Sequence, residues 1–367
     1  MELGVAYGLK VNLLATEEQT RRFLATQATA GRDWSWRLLY EKLLCRLERL
    51  HAVILLGHVF IDSRLRGGNF MMTRIPYSPW REDLYHPCKN ARFFSDGLPR
   101  AREALCAELA RLVYCPFEVD NTNEQKVRTI LQGVGFENTQ FFSGAGTQGF
   151  LTRSQAQRLS VLVFRGTESQ EFTDLATDAQ AWLINWERGG KVHRGFAEAL
   201  QPVWPTVQGL LEHCESTLVY TGHSLGAALA TVAASKEPPM ELYTFGSPLV
   251  GDEDFTRTLN NVVCFRYVDC CDLVTRIPPE VCGYMHVGKF HYINQEGQVH
   301  VNPNTAFVVA DRMQAREAYI MKYAWKIGTV GVRDLADHAP INYVSGIVGR
   351  VQESSSGDGH GIDHHIT

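Results

Sequence analysis

The sequence predicts an α/β fold with a central, mostly parallel sheet, and three observations predict it. An apolar stretch at 218–221 passes through a short turn into residues 225–230, which are small or aliphatic. Two further apolar segments with strand character follow, at 241–248 and 262–268. A similar segment precedes them at 161–167. Apolar strands that alternate with helices are typical of a parallel sheet whose faces are both covered.

The turn between strand and helix reads G-x-S-x-G, with Ser224 at its centre. Gly222 and Gly226 flank it, and both are expected to lack room for a β-carbon because strand and helix cross closely there. This pattern predicts a nucleophile elbow, a strained turn that lifts a serine hydroxyl above the sheet. The alternative is a tight strand-to-helix turn in some other α/β protein.

A nucleophilic serine needs a histidine base and a carboxylate that orients it, in the chain order serine, acid, histidine. Asp272 and Asp269 follow the segment 262–268, where the carboxyl ends of strands present side chains to a crevice. Prolines close the loop after Asp272 and fix its course. We favour Asp272 as the acid, with Asp269 second and Asp252 third.

Six segments, in order, resemble the fungal-type (class 3) triacylglycerol lipase family of the α/β-hydrolase superfamily. They are V-F-R-G-T at 163–167, H-R-G-F at 193–196, G-H-S-L-G at 222–226, F-G-S-P-L-V-G-D at 245–252, Y-M-H-V-G at 284–288 and D-H-A-P-I-N-Y at 337–343. The resemblance extends over about residues 101–343 and implies an α/β-hydrolase fold.

The resemblance assigns a role to each site residue. It implies that Ser224 is the nucleophile, Asp272 the acid and His338 the base. It places the oxyanion donors at Thr167 and at Leu225, the residue after the nucleophile.

Four other histidines are weighed against His338. His286 and His291 surround an expected strand at 285–293, which favours a packing role for both. His223 is expected to point away from the site and His193 to support the fold.

The chain also departs from the family pattern. Asp269 stands where an asparagine is usual, and Thr275 where a proline is common. Residues 168–188 occupy the place of the mobile lid, but they are acidic at the start and carry Trp182 and Trp186 farther on. They fit a lid and a packed helical face equally well.

The composition and the cysteine usage limit the kinds of partner and the location that are expected for this protein. The 367 residues are 45% hydrophobic and carry a dispersed net charge of −4, so no nucleic-acid partner is expected. No apolar run is long enough for a transmembrane helix. No metal or cofactor is expected, and adjacent Cys270 and Cys271 are interpreted as buried thiols. Nine cysteines, an odd number, and a start without a basic, apolar leader predict a cytoplasmic protein.

The expected organisation is an N-terminal, mainly helical extension and linker at 1–100, a catalytic domain at 101–350 and a disordered polar tail at 351–367. Thr16 opens a capping-box pattern, and apolar residues recur through 34–61. That stretch fits a helical cap over the site, a lipid-facing surface or a packed extension, which we favour. Histidines in the tail are expected to be solvated.

The resemblance implies hydrolysis of carboxylic esters, with acylglycerols or similar lipid esters as the expected substrates, and it leaves a contact with a lipid interface open. Two alternatives stay open. A phospholipase or other lipid acyl-hydrolase would use the same residues. A catalytically silent, lipase-like interaction protein would typically have lost a triad member, and here all three positions are filled.

Overall fold

In the computed structural model, the described residues are 75–89, 92–95, 97–166, 182–212, 214, 216–323 and 325–349. All of them belong to one structural unit of the chain. Residues 1–74 of the expected N-terminal extension at 1–100, and the expected tail at 351–367, lie outside the described residues. The domain boundaries therefore stay predictions.

Strands form the centre of this part of the molecule. They are β1 (Asn138–Gly144), β2 (Thr147–Ser154), β3 (Leu159–Phe164), β4 (Leu183–Asn185), β5 (Lys191–His193), β6 (Thr217–His223), β7 (Glu241–Phe245), β8 (Val263–Asp269), β9 (Lys289–Ile293) and β10 (Val299–Val301). Eight of them form one sheet in the order β1-β2-β3-β6-β7-β8-β9-β10, while β4 and β5 pair separately.

The pairs from β3 to β9 are parallel, and those at both edges of the sheet are antiparallel. The α/β prediction with a mostly parallel centre is confirmed. The strand expected at 285–293 is shorter, since it runs only from Lys289 to Ile293, and Met285 forms an isolated bridge with Gly251. In register, Phe164 pairs with Gly222 and His223 with Phe245, which brings the ends of β3 and β7 beside the predicted elbow.

Helices connect the strands and cover the sheet. They are α1 (Arg81–Tyr85), α2 (Arg102–Leu112), α3 (Asn121–Gly133), α4 (Arg194–Leu200), α5 (Trp204–Leu211), α6 (Leu225–Lys236), α7 (Glu253–Arg257), α8 (Thr305–Lys322), α9 (Arg333–Ala336) and α10 (Pro340–Val348). Short 3-10 turns lie at Val274–Arg276 and Glu280–Cys282.

The sheet divides the core into two layers, and the strand β3 contributes side chains to both. Its side chains alternate, so Leu162 and Phe164 pack with α4, α5 and α6 on one face of the sheet. Val161 and Val163 pack with α2, α3 and α10 on the other face. Because β3 is buried on both faces, all its residues except Ser160 are apolar.

The described residues before α2 lie on the catalytic unit. We expect an irregular linker at 64–99, and its described part contains the short helix α1. The Ser78 N–H donates to the Asn342 side-chain oxygen over 2.7 Å, and the Asn342 amide donates back to the Ser78 carbonyl over 2.8 Å. These bonds attach this segment to α10, which begins two residues after His338.

Candidate active site

Ser224 occupies the sharp turn between β6 and α6. Its backbone φ is 58° and its ψ is −128°, a conformation that residues with a side chain rarely adopt. The Ser224 N–H donates to the Phe245 carbonyl at the end of β7, 3.0 Å away, and this bond fixes the turn. The predicted elbow is therefore present, at the carboxyl edge of the sheet.

The two elbow glycines lie where strand and helix touch. A methyl group on Gly222 would come within 2.3 Å of the carbonyl carbon of Gly226. One on Gly226 would come within 2.2 Å of the Phe164 carbonyl oxygen at the end of β3. Only residues without a β-carbon allow this close packing.

The structure brings the three predicted triad residues together. The Ser224 Oγ lies 2.9 Å from His338 Nε2, and His338 Nδ1 lies 2.9 Å from Asp272 Oδ2. All three side chains are buried. In the tautomer that carries its proton on Nδ1, His338 donates to Asp272 and accepts from the serine hydroxyl.

Asp272 has further donors besides His338. The Val274 N–H donates to Oδ1 over 2.9 Å, and the Tyr343 hydroxyl donates to Oδ2 over 2.5 Å. Burial, together with the nearby Asp272 charge, holds the pKa of Tyr343 well above its ordinary value, so it remains a donor. Residue-based reasoning assigned Tyr343 no role. The only signal was its spacing after His338 in the D-H…Y pattern.

The loops that carry the acid and the base are joined to each other. The Cys271 N–H donates to Asp337 over 2.9 Å, and the Leu273 N–H donates to the Asp334 carbonyl over 3.1 Å. These bonds come from the two neighbours of Asp272 in the chain. The triad is thus held from both loops before any substrate binds.

The alternative acids have other surroundings. Asp252 caps α7 by accepting from the Phe255 N–H, and it also accepts from the Lys191 N–H. Asp269 is buried at the end of β8, where it pairs in register with Ile293 of β9. Among the described carboxylates, Asp272 is the one hydrogen-bonded to His338 Nδ1.

The alternative bases are also placed elsewhere. His291 lies in β9, with Nδ1 2.9 Å from the Lys289 carbonyl. Burial lowers the pKa of both His291 and His286, that of His286 to about 3. His193 accepts from the Gly195 N–H at the start of α4, stacks on Phe196, and has a pKa lowered to about 4 by burial.

His223 differs from the expectation that it points away from the site. Its ring lies beside that of His338, with 4.6 Å between ring centroids, and its Nδ1 is 2.8 Å from the Tyr114 hydroxyl. Burial, then the neighbouring His338 charge, keeps the pKa of His223 well below its ordinary value. His223 therefore packs against the base as a neutral ring.

One predicted oxyanion donor is described and the other is not. Leu225 is the first residue of α6, so its N–H lies in the turn whose amide groups have no acceptor inside the helix. Thr167 lies outside the described residues. The segment before it is held by Arg165, which forms an ion pair with Glu118.

The expected lid segment is described only from residue 182 onward. There, β4 pairs with β5, and the Trp186 indole N–H donates to Ser235 Oγ over 2.8 Å. Trp186 is thus packed on α6, whereas Trp182 is exposed. Residues 168–181 lie outside the described residues, so the lid stays a prediction.

A cleft of about 770 Å³ adjoins Tyr114 and Gly166. Lys89, Lys126 and the Cys88–Cys115 disulfide line it farther out. Of the described residues, neither Ser224 nor His338 lines this cleft. We therefore do not assign it to the ester.

Among the described residues, Cys270, Cys271 and Asp337 lie close enough together to hold a metal ion. The Asp337 carboxylate already accepts bonds from Tyr77, Arg333 and the Cys271 N–H. Burial also raises the pKa of the Cys270 thiol well above its ordinary value. These partners fit a structural tie between the two loops, with both thiols buried.

Comparison with known proteins supports the same reading. Residues 161–282 match the family model for "Lipase (class 3)". A lipase of Rhizopus niveus is 33% identical over 165 residues, which cover 40% of this chain and 42% of the relative. Secreted mono- and diacylglycerol lipase 1 of Fusarium solani is 30% identical over 169 residues, 41% of this chain and 48% of the relative. The chain spans less than half the length of either relative.

Among solved structures, lipase II from Rhizopus niveus has 27% sequence identity to this chain and a TM-score of 0.44. That comparison covers 52% of this chain and 78% of the other.

The sheet order, the elbow and the serine–histidine–aspartate arrangement define a protein of the α/β-hydrolase superfamily. Within it, the segment that carries the elbow and the acid loop matches the class 3 lipase family. The resemblance seen in the sequence is confirmed.

The expected cytoplasmic location is wrong. Relatives from Fusarium solani and Malassezia restricta are named as secreted lipases. Cys88 and Cys115 also form a disulfide, and disulfides persist in oxidising compartments. The cysteine count was misleading because it does not show that residues 27 positions apart meet in space. Within the described part of the chain, no helix combines the length and apolarity that crossing a membrane requires.

Proposed function

We propose that this protein is a serine hydrolase that cleaves carboxylic esters of lipids, with acylglycerols as the first substrate class to test. The observation that carries the proposal is the chain of contacts from Ser224 Oγ through His338 to Asp272, with the serine on a strained elbow. The names of the relatives, lipase and mono- and diacylglycerol lipase, agree with this class.

The geometry gives each group a step. His338 Nε2 takes the Ser224 proton as Oγ attacks the ester carbonyl, and Asp272 stabilises the imidazolium that forms. The Leu225 N–H, with Thr167 as the proposed second donor, stabilises the oxyanion. His338 then returns the proton to the leaving alcohol, and an acyl-enzyme remains. Water that loses a proton to His338 attacks the acyl group, and His338 gives that proton to Ser224 Oγ as the acid leaves.

The buried state of Ser224 adds one requirement. Its side chain has no contact with solvent, so an ester must displace neighbouring groups to reach Oγ. Activity would therefore depend on an opening of the site. A phospholipase or other lipid acyl-hydrolase remains the alternative, because headgroup preference does not depend on the triad.

We also propose that the catalytic domain spans residues 101–350, with the extension before it and the tail after it. We further propose that the protein functions in an oxidising compartment. The disulfide supports the second point.

The proposal is tested with a fluorophosphonate probe and a substrate panel. The panel has p-nitrophenyl esters from short to long acyl chains, mono-, di- and triacylglycerols, and phosphatidylcholine. We expect hydrolysis of lipid esters and labelling at Ser224, both abolished in Ser224→Ala. Ser143→Ala is the matched control, since Ser143 is exposed on β1.

His338→Ala should lose nearly all turnover, and adding Ser224→Ala should cause no further loss because triad members act as a unit. Labelling that persists in Ser224→Ala would show that the elbow is not the reactive site. A folded wild type that is neither labelled nor active on any ester would favour the silent interaction protein.

A further inference from the structure

The C-terminal end of α8 and the turn after it expose large apolar side chains. Ile320 is 57% exposed, Met321 72%, Trp325 78% and Ile327 99%. We refer to these four residues as the α8 tip. Single exposed apolar residues are common, but a group of four in eight positions indicates a surface that meets a partner.

The backbone that presents the α8 tip is well connected. The Tyr319 hydroxyl donates to the Val330 carbonyl over 2.6 Å, and the Thr329 hydroxyl lies 2.8 Å from the Tyr323 carbonyl. The Arg81 N–H donates to the Gly328 carbonyl over 3.0 Å. These bonds attach the turn after α8 to α1 and connect the end of α8 to Val330, just after the turn. The exposure is thus a property of the folded chain.

The helix that carries the α8 tip passes the edge of the sheet that bears the candidate site. Early in α8, Asp311 accepts from the Tyr292 hydroxyl and the Gln295 N–H, at the carboxyl end of β9. One to two turns later, Arg316 pairs with Asp334, whose carbonyl accepts from the residue after Asp272. The α8 tip begins about one turn after Arg316 on the same helix.

Charge and aromatic chemistry indicate the kind of partner. Lys322 and Lys326 flank Trp325 in the chain, and their Nζ atoms lie 5.0 and 5.2 Å from the centre of the Tyr323 ring. The core of a protein–protein interface is typically poor in lysine. Lysines that surround tryptophan and aliphatic side chains are instead typical of a segment that lies in a lipid interface.

Trp325 can also leave water without losing a hydrogen bond. Its indole N–H donates to the Met321 carbonyl over 3.0 Å, so the ring can enter an apolar layer without an unpaired donor. The lysine stems can lie along that layer while their ammonium groups stay at the headgroups.

We propose that the α8 tip docks this protein on a lipid surface with anionic headgroups and turns the catalytic edge toward the lipid. This proposal rests on the proposed function for its purpose, since a lipid-ester hydrolase gains from being held at its substrate. The tip inserts its apolar side chains, and Lys322 and Lys326 contact the headgroups.

Co-sedimentation of the full-length chain with vesicles tests the proposal, using phosphatidylcholine alone and with phosphatidylserine. We expect the wild type to bind, and W325S/I327S to lower the partition coefficient at least tenfold. K322Q/K326Q should lower binding to the anionic vesicles and remove its salt dependence. The matched control is V119S/M240S, which removes exposed apolar side chains, 70% and 60% exposed, away from α8 and should bind like the wild type.

Two further measurements separate the outcomes. Turnover of a soluble p-nitrophenyl acetate should be the same in all variants, because none of these residues touches the triad. Wild-type protein that fails to bind, or W325S/I327S that binds as well as the wild type, overturns the proposal. So does a wild-type dimer in analytical ultracentrifugation that W325S/I327S converts to monomers. Absent turnover with tip-dependent vesicle binding would overturn the proposed function and leave the docking surface standing.

Discussion

Asp272 lies out of contact with solvent, and protein donors replace the water that a carboxylate needs. The His338 ring, the Tyr343 hydroxyl and the Val274 N–H supply those donors. A buried carboxylate without partners would be costly, so these contacts stabilise the acid as well as aim it. The orientation of the base therefore depends on groups that take no part in bond making.

Replacing Asp272 by asparagine should lower kcat by about ten-thousand-fold, because an amide favours the wrong histidine tautomer. Asp269→Asn is the matched variant at the end of β8, three residues earlier, and should cost far less. Steady-state kinetics on p-nitrophenyl butyrate, with circular dichroism to check folding, gives the comparison. If Asp269→Asn were the more damaging change, the acid would be three residues earlier than assigned.

At the residue scale, the sequence predicts the residues of the candidate triad better than it predicts the contacts around them. Ser224, Asp272 and His338 follow from the hydrolase order and the family segments. The contacts of Tyr343 and His223 do not, because α10 and the elbow meet only in the folded chain. Those two residues become visible only as neighbours in space.

The buried histidines predict how stability depends on pH. Burial lowers the pKa of His286 to about 3, so it stays neutral in the folded protein, whereas the unfolded chain takes up the proton near pH 6.5. Stability therefore falls as pH drops below about 6.5, until the pH reaches the folded pKa. For each pH unit below about 6, His286→Gln should lose about 1.4 kcal/mol less unfolding free energy than the wild type.

Urea denaturation of the two proteins at matched pH values measures this difference. His286→Gln should also keep most of its ester activity, since His286 has no place in the triad. Equal loss of stability on acidification in both proteins would show that His286 is protonated in the folded state.

At the scale of elements, the crossing of β6 and α6 sets the position of Ser224, the proposed nucleophile. Apolar runs and the glycine spacing predict this strand, turn and helix from the sequence. The same reasoning extends the strand at 285–293 too far, because pairing in β9 begins only at Lys289. The hairpin of β4 and β5 carries little strand signal, since each strand has only three residues and the two lie outside the main sheet.

Two glycine substitutions, one at the crossing and one away from it, should change the free energy of unfolding in opposite directions. Gly226→Ala forces a β-carbon onto the backbone of β3, which cannot move away, and should lower the free energy of unfolding by about 3 kcal/mol. Gly209→Ala adds a methyl group with open space around it in α5 and should raise it by about 0.4–1 kcal/mol. Urea denaturation and soluble yield check both. A Gly226→Ala protein as stable as the wild type would contradict the close crossing.

At the scale of the whole molecule, the disulfide between Cys88 and Cys115 joins the segment before α2 to the residues just after it. Tyr114, beside Cys115, contacts His223 next to the base, so this link also borders the site. Sequence analysis does not reveal the link, since spacing alone does not identify which cysteines pair. The location of the protein was misjudged for the same reason.

Reduction of this disulfide should lower the free energy of unfolding by about 3–4 kcal/mol, because the unfolded chain regains the freedom of a loop that spans 27 positions. The double variant Cys88→Ser/Cys115→Ser should show the same loss without reductant. Cys282→Ser is the control, since Cys282 is an exposed free thiol. Urea denaturation with and without dithiothreitol gives the values. If reductant destabilised the double variant as much as the wild type, the effect would come from another cysteine pair, and the link between Cys88 and Cys115 would be refuted.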